Sequence, residues 1–152
     1  MQTISQNQVK SIAGLSIRTN NNDAPNTIPE LWQSFYRQNV AETLTDSASS
    51  AIYALYSEFE HEGISNEGEY TFLIGLEIKS KESLPSHLDC IEIPAGDYLK
   101  FDVPDKNPEQ IYPTWQQIWS RDDLDNTFLC DYEMYSDKGD ISIYIGSSRA
   151  RQ

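Results

Sequence analysis

The chain has 152 residues, enough for one domain or two small halves sharing a core, with the 38% hydrophobic and 23% charged content of an ordinary soluble globular protein. Eleven Lys and Arg against 24 Asp and Glu leave a net charge of −13. Such a surface repels the backbone of DNA or RNA, which proteins hold mainly through Lys and Arg, so direct nucleic-acid binding is excluded, and cationic ligands or a basic protein partner are favoured.

The start, Met1-Gln-Thr-Ile-Ser-Gln-Asn-Gln8, lacks the basic and apolar regions of a secretion signal. No apolar run approaches the roughly 20 residues of a membrane span. A cytoplasmic protein with no membrane association is expected. Cys90 and Cys130 stand forty residues apart without paired Cys or His spacing, so they read as small buried thiols rather than as zinc ligands. His61 and His87 sit in polar, loop-like stretches without a triad context. No metal, no cofactor and no catalytic residue is assigned.

In chain order, Ser11–Arg18 reads as a strand carrying an Ala-Gly pair, and the tract Asn20–Asn26 as a flexible turn. Leu31, Trp32, Phe35 and Tyr36 recur at helical spacing over Ile28–Tyr36, with Pro29 suited to a first helical turn. Ala51–Glu60 and Tyr70–Lys79 are strand-like, joined by the acidic loop His61–Glu69. After a link at Ser80–Ser86 the series repeats. Ile93–Phe101 is a strand with its own Ala-Gly pair, and Pro104–Pro108 is the connection. Ile111–Trp119 is a helix with Trp115, Ile118 and Trp119 on one face and Pro113 in its first turn. Thr127–Tyr135 and Asp140–Ser147 are strands around the tight turn Ser136–Gly139, and the polar tail Ser147–Gln152 reads as frayed. Each half is thus β-α-β-β. The expected fold is α+β: a pseudo-twofold tandem repeat in a single domain (1–152, half-repeats about 5–80 and 87–148), with an antiparallel sheet, two main helices and a ligand cleft between the halves.

Within the strand Thr127–Tyr135 stands Glu133, flanked by Tyr132 and, two residues on, Tyr135. A carboxylate in an apolar strand costs several kcal/mol if buried unpaired. It is explained by exposure at a sheet edge, by pairing with an arginine such as Arg37 or Arg121, or by a pocket that receives an organic cation.

The order of Ile93-Pro-Ala-Gly-Asp-Tyr98, the Trp115/Trp119 helix, Tyr132-Glu-Met-Tyr135 and Ile143-Tyr-Ile145 resembles the GyrI-like small-molecule-binding family. That family includes the effector-binding domains of AraC- and MerR-type transcription regulators and free-standing proteins of the same fold. The match extends over about residues 5 to 148, and its specificity lies in the order and spacing of short motifs. It resembles in particular the free-standing, cation-binding members carried on mobile gene cassettes. The resemblance implies a cleft that binds a lipophilic cation through a glutamate ringed by aromatics. Glu133 matches that glutamate, and Tyr135 shares its side of the strand. Tyr144 on the last strand, Trp32, Tyr36, Trp115 and Trp119 on the helices, and Tyr53 on the second strand are further candidate walls. Trp32 and Trp115, at equivalent repeat positions, also suit helix-to-sheet packing. Tyr98 suits a structural role, and Asp131, on the same face as Glu133, is a second anion or a solvated strand-edge residue. The first strand starts within about ten residues of Met1, leaving no room for a helix-turn-helix.

The expected function is a stand-alone binding module for amphipathic cationic molecules such as drugs or dyes. Two alternatives stand beside it: a GyrI-like hydrolase using Glu133 as general base, and an acidic module that docks on or inhibits a basic protein.

Overall fold

A computed structural model describes residues 1–82 and 84–147. Of the predicted tail only Ser147 belongs to these residues, and Ser83 of the predicted link is outside them. The elements are β1 (Gln2–Gln6), β2 (Lys10–Asn20), α1 (Ala24–Arg37), α2 (Val40–Thr43), β3 (Ile52–Ser57), β4 (Glu69–Ile78), β5 (Asp89–Ile93), β6 (Gly96–Asp102), α3 (Ile111–Ser120), β7 (Cys130–Tyr135) and β8 (Ile141–Ser147). The strands form one antiparallel sheet in the order β1-β6-β8-β7-β3-β4-β2-β5. Exchanging β1 with β5, β2 with β6, β3 with β7 and β4 with β8 reverses this order onto itself. The pseudo-twofold axis therefore runs between the central strands β3 and β7.

The expected β-α-β-β halves gain one strand each, and that strand is exchanged. β1 of the first half pairs with β6 of the second, and β5 of the second pairs with β2 of the first. The run Ile93–Phe101 is two strands because Pro94, which has no N–H for a ladder, breaks it. In α1 the first-turn proline is Pro25, and Pro29, expected there, lies inside the helix. The Asn20–Asn26 tract is correspondingly half turn and half helix.

Two short connections curl the sheet. β5 and β6 lie six places apart, about 29 Å in a flat sheet. Yet only Pro94 and Ala95 separate them, which allows about 11 Å at 3.8 Å per Cα step. β1 and β2, also six places apart, are joined by residues 7–9 alone. Both edges must therefore meet at one end. Gly14 and Gly75 face each other across β2 and β4, where a Cβ on either would collide with the opposite backbone. Such a close approach lets the strands bend.

The curl explains two unlike faces. On the side without helices, Ile12, Tyr53, Leu55, Leu73, Ile93, Tyr98, Tyr132 and Tyr144 are buried against one another, because the sheet closes over them. On the other side α1 packs Leu31 and Phe35 onto Ala54, Phe72 and Ile74, while α3 packs Trp115 and Ile118 onto Ile141, Ile143 and Ile145. The helices thus divide one face of the sheet between them and leave the central strands under the gap. Among the described residues no helix is long and apolar enough to cross a membrane.

Candidate functional site

The gap between α1 and α3 is a cleft of about 660 Å³, within the 300–1,000 Å³ of small-molecule sites. The helices supply Ile28, Trp32, Ile111, Trp115 and Trp119, and the strands supply Tyr56, Tyr70, Asp131, Glu133 and Tyr135. Loops add the amide side chains Asn21, Asn66 and Asn126.

Glu133 lies on β7 opposite Ala54 of β3 and Ile143 of β8, and only 3% of it is exposed. Its Oε2 accepts hydrogen bonds from Trp115 Nε1 at 2.7 Å and Tyr56 OH at 2.9 Å, and its Oε1 from Tyr135 OH at 2.5 Å. All three donors are neutral. Neither arginine considered from the sequence reaches it: Arg37 donates to Ser34, and Arg121 pairs with Asp123. Burial pushes the Glu133 carboxyl above the ordinary glutamate range, against the pull of the three donors. Burial, and then the Glu133 charge, in turn raise the Tyr56 and Tyr135 hydroxyls well above 10, so both stay protonated as donors.

Asp131, one pleat away, is 4% exposed. Its Oδ1 accepts from the Gly146 backbone N–H at 3.0 Å and its Oδ2 from Asn126 Nδ2 at 3.1 Å. Burial pushes its pKa up to about 6 despite these two bonds. It is therefore no solvated edge residue. It fastens the loop before β7 to β8, since the Asn126 Oδ1 also accepts from Phe128 N–H at 2.7 Å. Neither Asp131 nor Glu133 belongs to an ion pair among the described residues.

The aromatic walls are ordered by one another. Trp32 stands edge-on to Tyr135 (centroids 5.2 Å, 77°) and Trp115 edge-on to Tyr56 (5.3 Å, 72°). Trp119 stacks on Trp115 at 5.6 Å and is 46% exposed, so the wall runs from the carboxylate out to solvent. Trp115 combines both roles weighed for it, packing with Ile118 and Ile143 while its indole N–H faces Glu133.

Of the residues expected to line the cleft, Glu133, Tyr135, Trp32, Trp115 and Trp119 are brought together. Tyr36 is not; it stacks on the outer side of Trp32 at 6.0 Å and is 60% exposed. Tyr144 and Tyr53 belong to the opposite face. Cross-strand partners share a face, and the registers pair Tyr144 with Tyr132 and Tyr53 with Met134, both of which alternate away from Glu133. Tyr144 stacks on Tyr132 at 4.6 Å and 9° inside the curl. Tyr56, which the sequence reading left aside, takes the position expected of Tyr53. Alternation along β3 puts one or the other on the cleft face, and only the register chooses.

Cys130 is buried, its thiol raised by burial, and Cys90 is half-buried; both are free. Among the described residues no group of three or more His, Cys, Asp or Glu could hold a metal ion.

Residues 3–146 match the family model of the integron-associated effector-binding proteins. An integron cassette protein from the mobile metagenome of Vibrio cholerae superposes with a TM-score of 0.78 at 24% identity, covering 96% of this chain and 94% of that one. SAV2435, solved bound to tetraphenylphosphonium, superposes with a TM-score of 0.81 at 15% identity over 99% and 94% of the two chains. A bacterial transcription-regulation protein of Staphylococcus aureus superposes at 0.73, with 14% identity over 96% and 95%. No curated protein matches the sequence.

Proposed function

This chain belongs to the integron-associated effector-binding protein family, and from that premise we propose that it is a receptor for a bulky amphipathic organic cation. One observation carries the reading: Glu133 is buried in an aromatic-walled cleft with three neutral donors and, among the described residues, no ion-pair partner. An uncompensated buried carboxylate costs several kcal/mol, and an arriving cation recovers that cost as affinity. The flat faces of Trp32, Trp115 and Trp119 supply desolvation and cation–π attraction of about 0.5–2 kcal/mol per well-placed ring. Micromolar affinity, about −8 kcal/mol, is within reach of such a set. The tetraphenylphosphonium held by SAV2435, which shares the fold, supports a ligand of this shape and charge.

The reading of Glu133 as a hydrolytic base is favoured less. A base needs a carboxylate oxygen open to water, whereas Glu133 is 3% exposed and three of its roughly four acceptor positions are filled, two on Oε2 and one on Oε1.

Tryptophan fluorescence titration with tetraphenylphosphonium and with neutral triphenylphosphine oxide tests the proposal. Glu133→Gln is expected to weaken the cation by about thirty-fold, near 2 kcal/mol, and the neutral compound by less than about three-fold. Equal losses for both would remove the charge-pairing role.

A further inference from the structure

The cleft has a second acidic side chain, and it differs chemically from the first. Asp131 and Glu133 alternate onto one face of β7, about 6–7 Å apart. Both are buried, both line the cleft, and neither has a positive partner among the described residues. A carboxylate offers about four acceptor positions. Glu133 has three filled, by two tyrosines and an indole, and is ringed by aromatic faces. It suits a diffuse charge spread over an aromatic body. Asp131 has two filled, by Asn126 and Gly146, leaving about two acceptor positions free. Its side-chain partner is an amide, Asn126, where one of the Glu133 partners is an indole. That environment suits a compact head that donates hydrogen bonds. A ligand that neutralises only one of two buried acids leaves the other uncompensated. Burial raises the Asp131 pKa to about 6 even against its two hydrogen bonds, so its charged form is incompletely stabilised by the protein.

We infer that the cleft is selective for aromatic dications: Glu133 takes the delocalised charge, and Asp131 takes a second, primary ammonium or amidinium group borne on a short arm. This rests on the cation-receptor reading above and adds the ligand class and a specificity-determining residue.

Two isosteric probes test it, n-pentyltriphenylphosphonium as monocation and (aminobutyl)triphenylphosphonium as dication, titrated at constant ionic strength. Wild type is expected to bind the dication about ten-fold or more tighter, and Asp131→Asn to cut that preference below about three-fold. Equal affinities in wild type would overturn the inference. So would a preference that survives in Asp131→Asn and vanishes with salt, because it would then belong to the general field of a −13 protein. Asp131 also fastens the Asn126 loop, so a crystal structure of wild type with the dication is the second arm. It is expected to show the ammonium nitrogen about 3 Å from an Asp131 oxygen; an ammonium pointing into solvent would overturn the assignment. A monocation that binds in a Glu133-dependent way without any dication preference would defeat this inference alone, and failure of both probes to bind would defeat the receptor reading with it.

Discussion

Tyr132 and Glu133 are neighbours in sequence and live in opposite environments, one on each face of β7. Tyr132 points into the curl, stacked on Tyr144, tilted against Tyr53 and edge-on to Tyr98, and its hydroxyl donates to Gln6 Oε1 at 3.3 Å. Nearby, Tyr98 gives its hydroxyl to the Pro94 carbonyl at 2.6 Å. That face closes on itself, and these two hydroxyls meet neutral partners. Glu133 accepts three hydrogen bonds from neutral donors, yet among the described residues its charge has no counterpart. The difference teaches that hydrogen-bond satisfaction and charge balance are separate accounts. A polar group can be well hydrogen-bonded for folding and still carry an unbalanced charge.

The contrast is sharpest under mutation. Tyr132→Ala is expected to cost stability most, about 3–5 kcal/mol by analogy with other buried aromatic truncations, read as a lowered denaturation midpoint. Cation affinity of the remaining folded protein should hardly move. Glu133→Gln should do the reverse, weakening the cation as above while leaving thermal stability unchanged or raised, because it removes a buried uncompensated charge. If Glu133→Gln destabilised the protein as Tyr132→Ala does, the two faces would not differ in kind.

Trp115→Phe keeps an aromatic side chain, though a smaller one, and removes the indole donor to Glu133. Affinity for the cation is expected to fall about five- to ten-fold, roughly 1–1.5 kcal/mol, with a smaller effect on neutral ligands. Tyr53→Phe and Tyr144→Phe should change ligand binding least, within about two-fold, since both rings lie on the closed face. A large loss of affinity in either would contradict the assignment of faces.

Acidity separates the faces as well. Asp131 binds its proton more tightly folded, at about 6, than the ordinary 3.8 of an unfolded chain. The folded state therefore holds more protons over that window. Asp131 contributes stability that is fully present below pH 4 and is lost as pH rises through about 6. The shift of about two units corresponds to about 3 kcal/mol at most. Asp131→Asn should flatten this part of the stability profile measured by chemical denaturation. Cation affinity should run the other way, rising with pH as the cleft acids ionise.

Much of this organisation is legible in the sequence. Helical spacing marks Trp32 and Trp115, and a lone acid among Tyr132, Met134 and Tyr135 marks Glu133. The strand exchange is not legible, because β1 (Gln-Thr-Ile-Ser-Gln) has the polar composition of a loop and earns its place only by pairing with β6. The facing of Tyr53 and Tyr144 is illegible for a related reason. Side chains alternate with period two, so a register shift of one residue swaps Tyr56 for Tyr53 and Ile143 for Tyr144 on the helix-bearing face. That register is set by turns and by partners distant in the chain. Pro94 was the one available sign that Ile93–Phe101 is two strands.

The central claim is that the charge of Glu133 is held for a cation. Calorimetric titration with tetraphenylphosphonium near pH 5, in two buffers of different ionisation enthalpy, tests it most directly. A carboxyl whose pKa is raised by burial must lose proton occupancy when a cation settles beside it. The account predicts measurable proton release with the phosphonium, none with neutral triphenylphosphine oxide, and a clear reduction in Glu133→Gln. Cation binding with no proton release, or with the same release in wild type and Glu133→Gln, would contradict it.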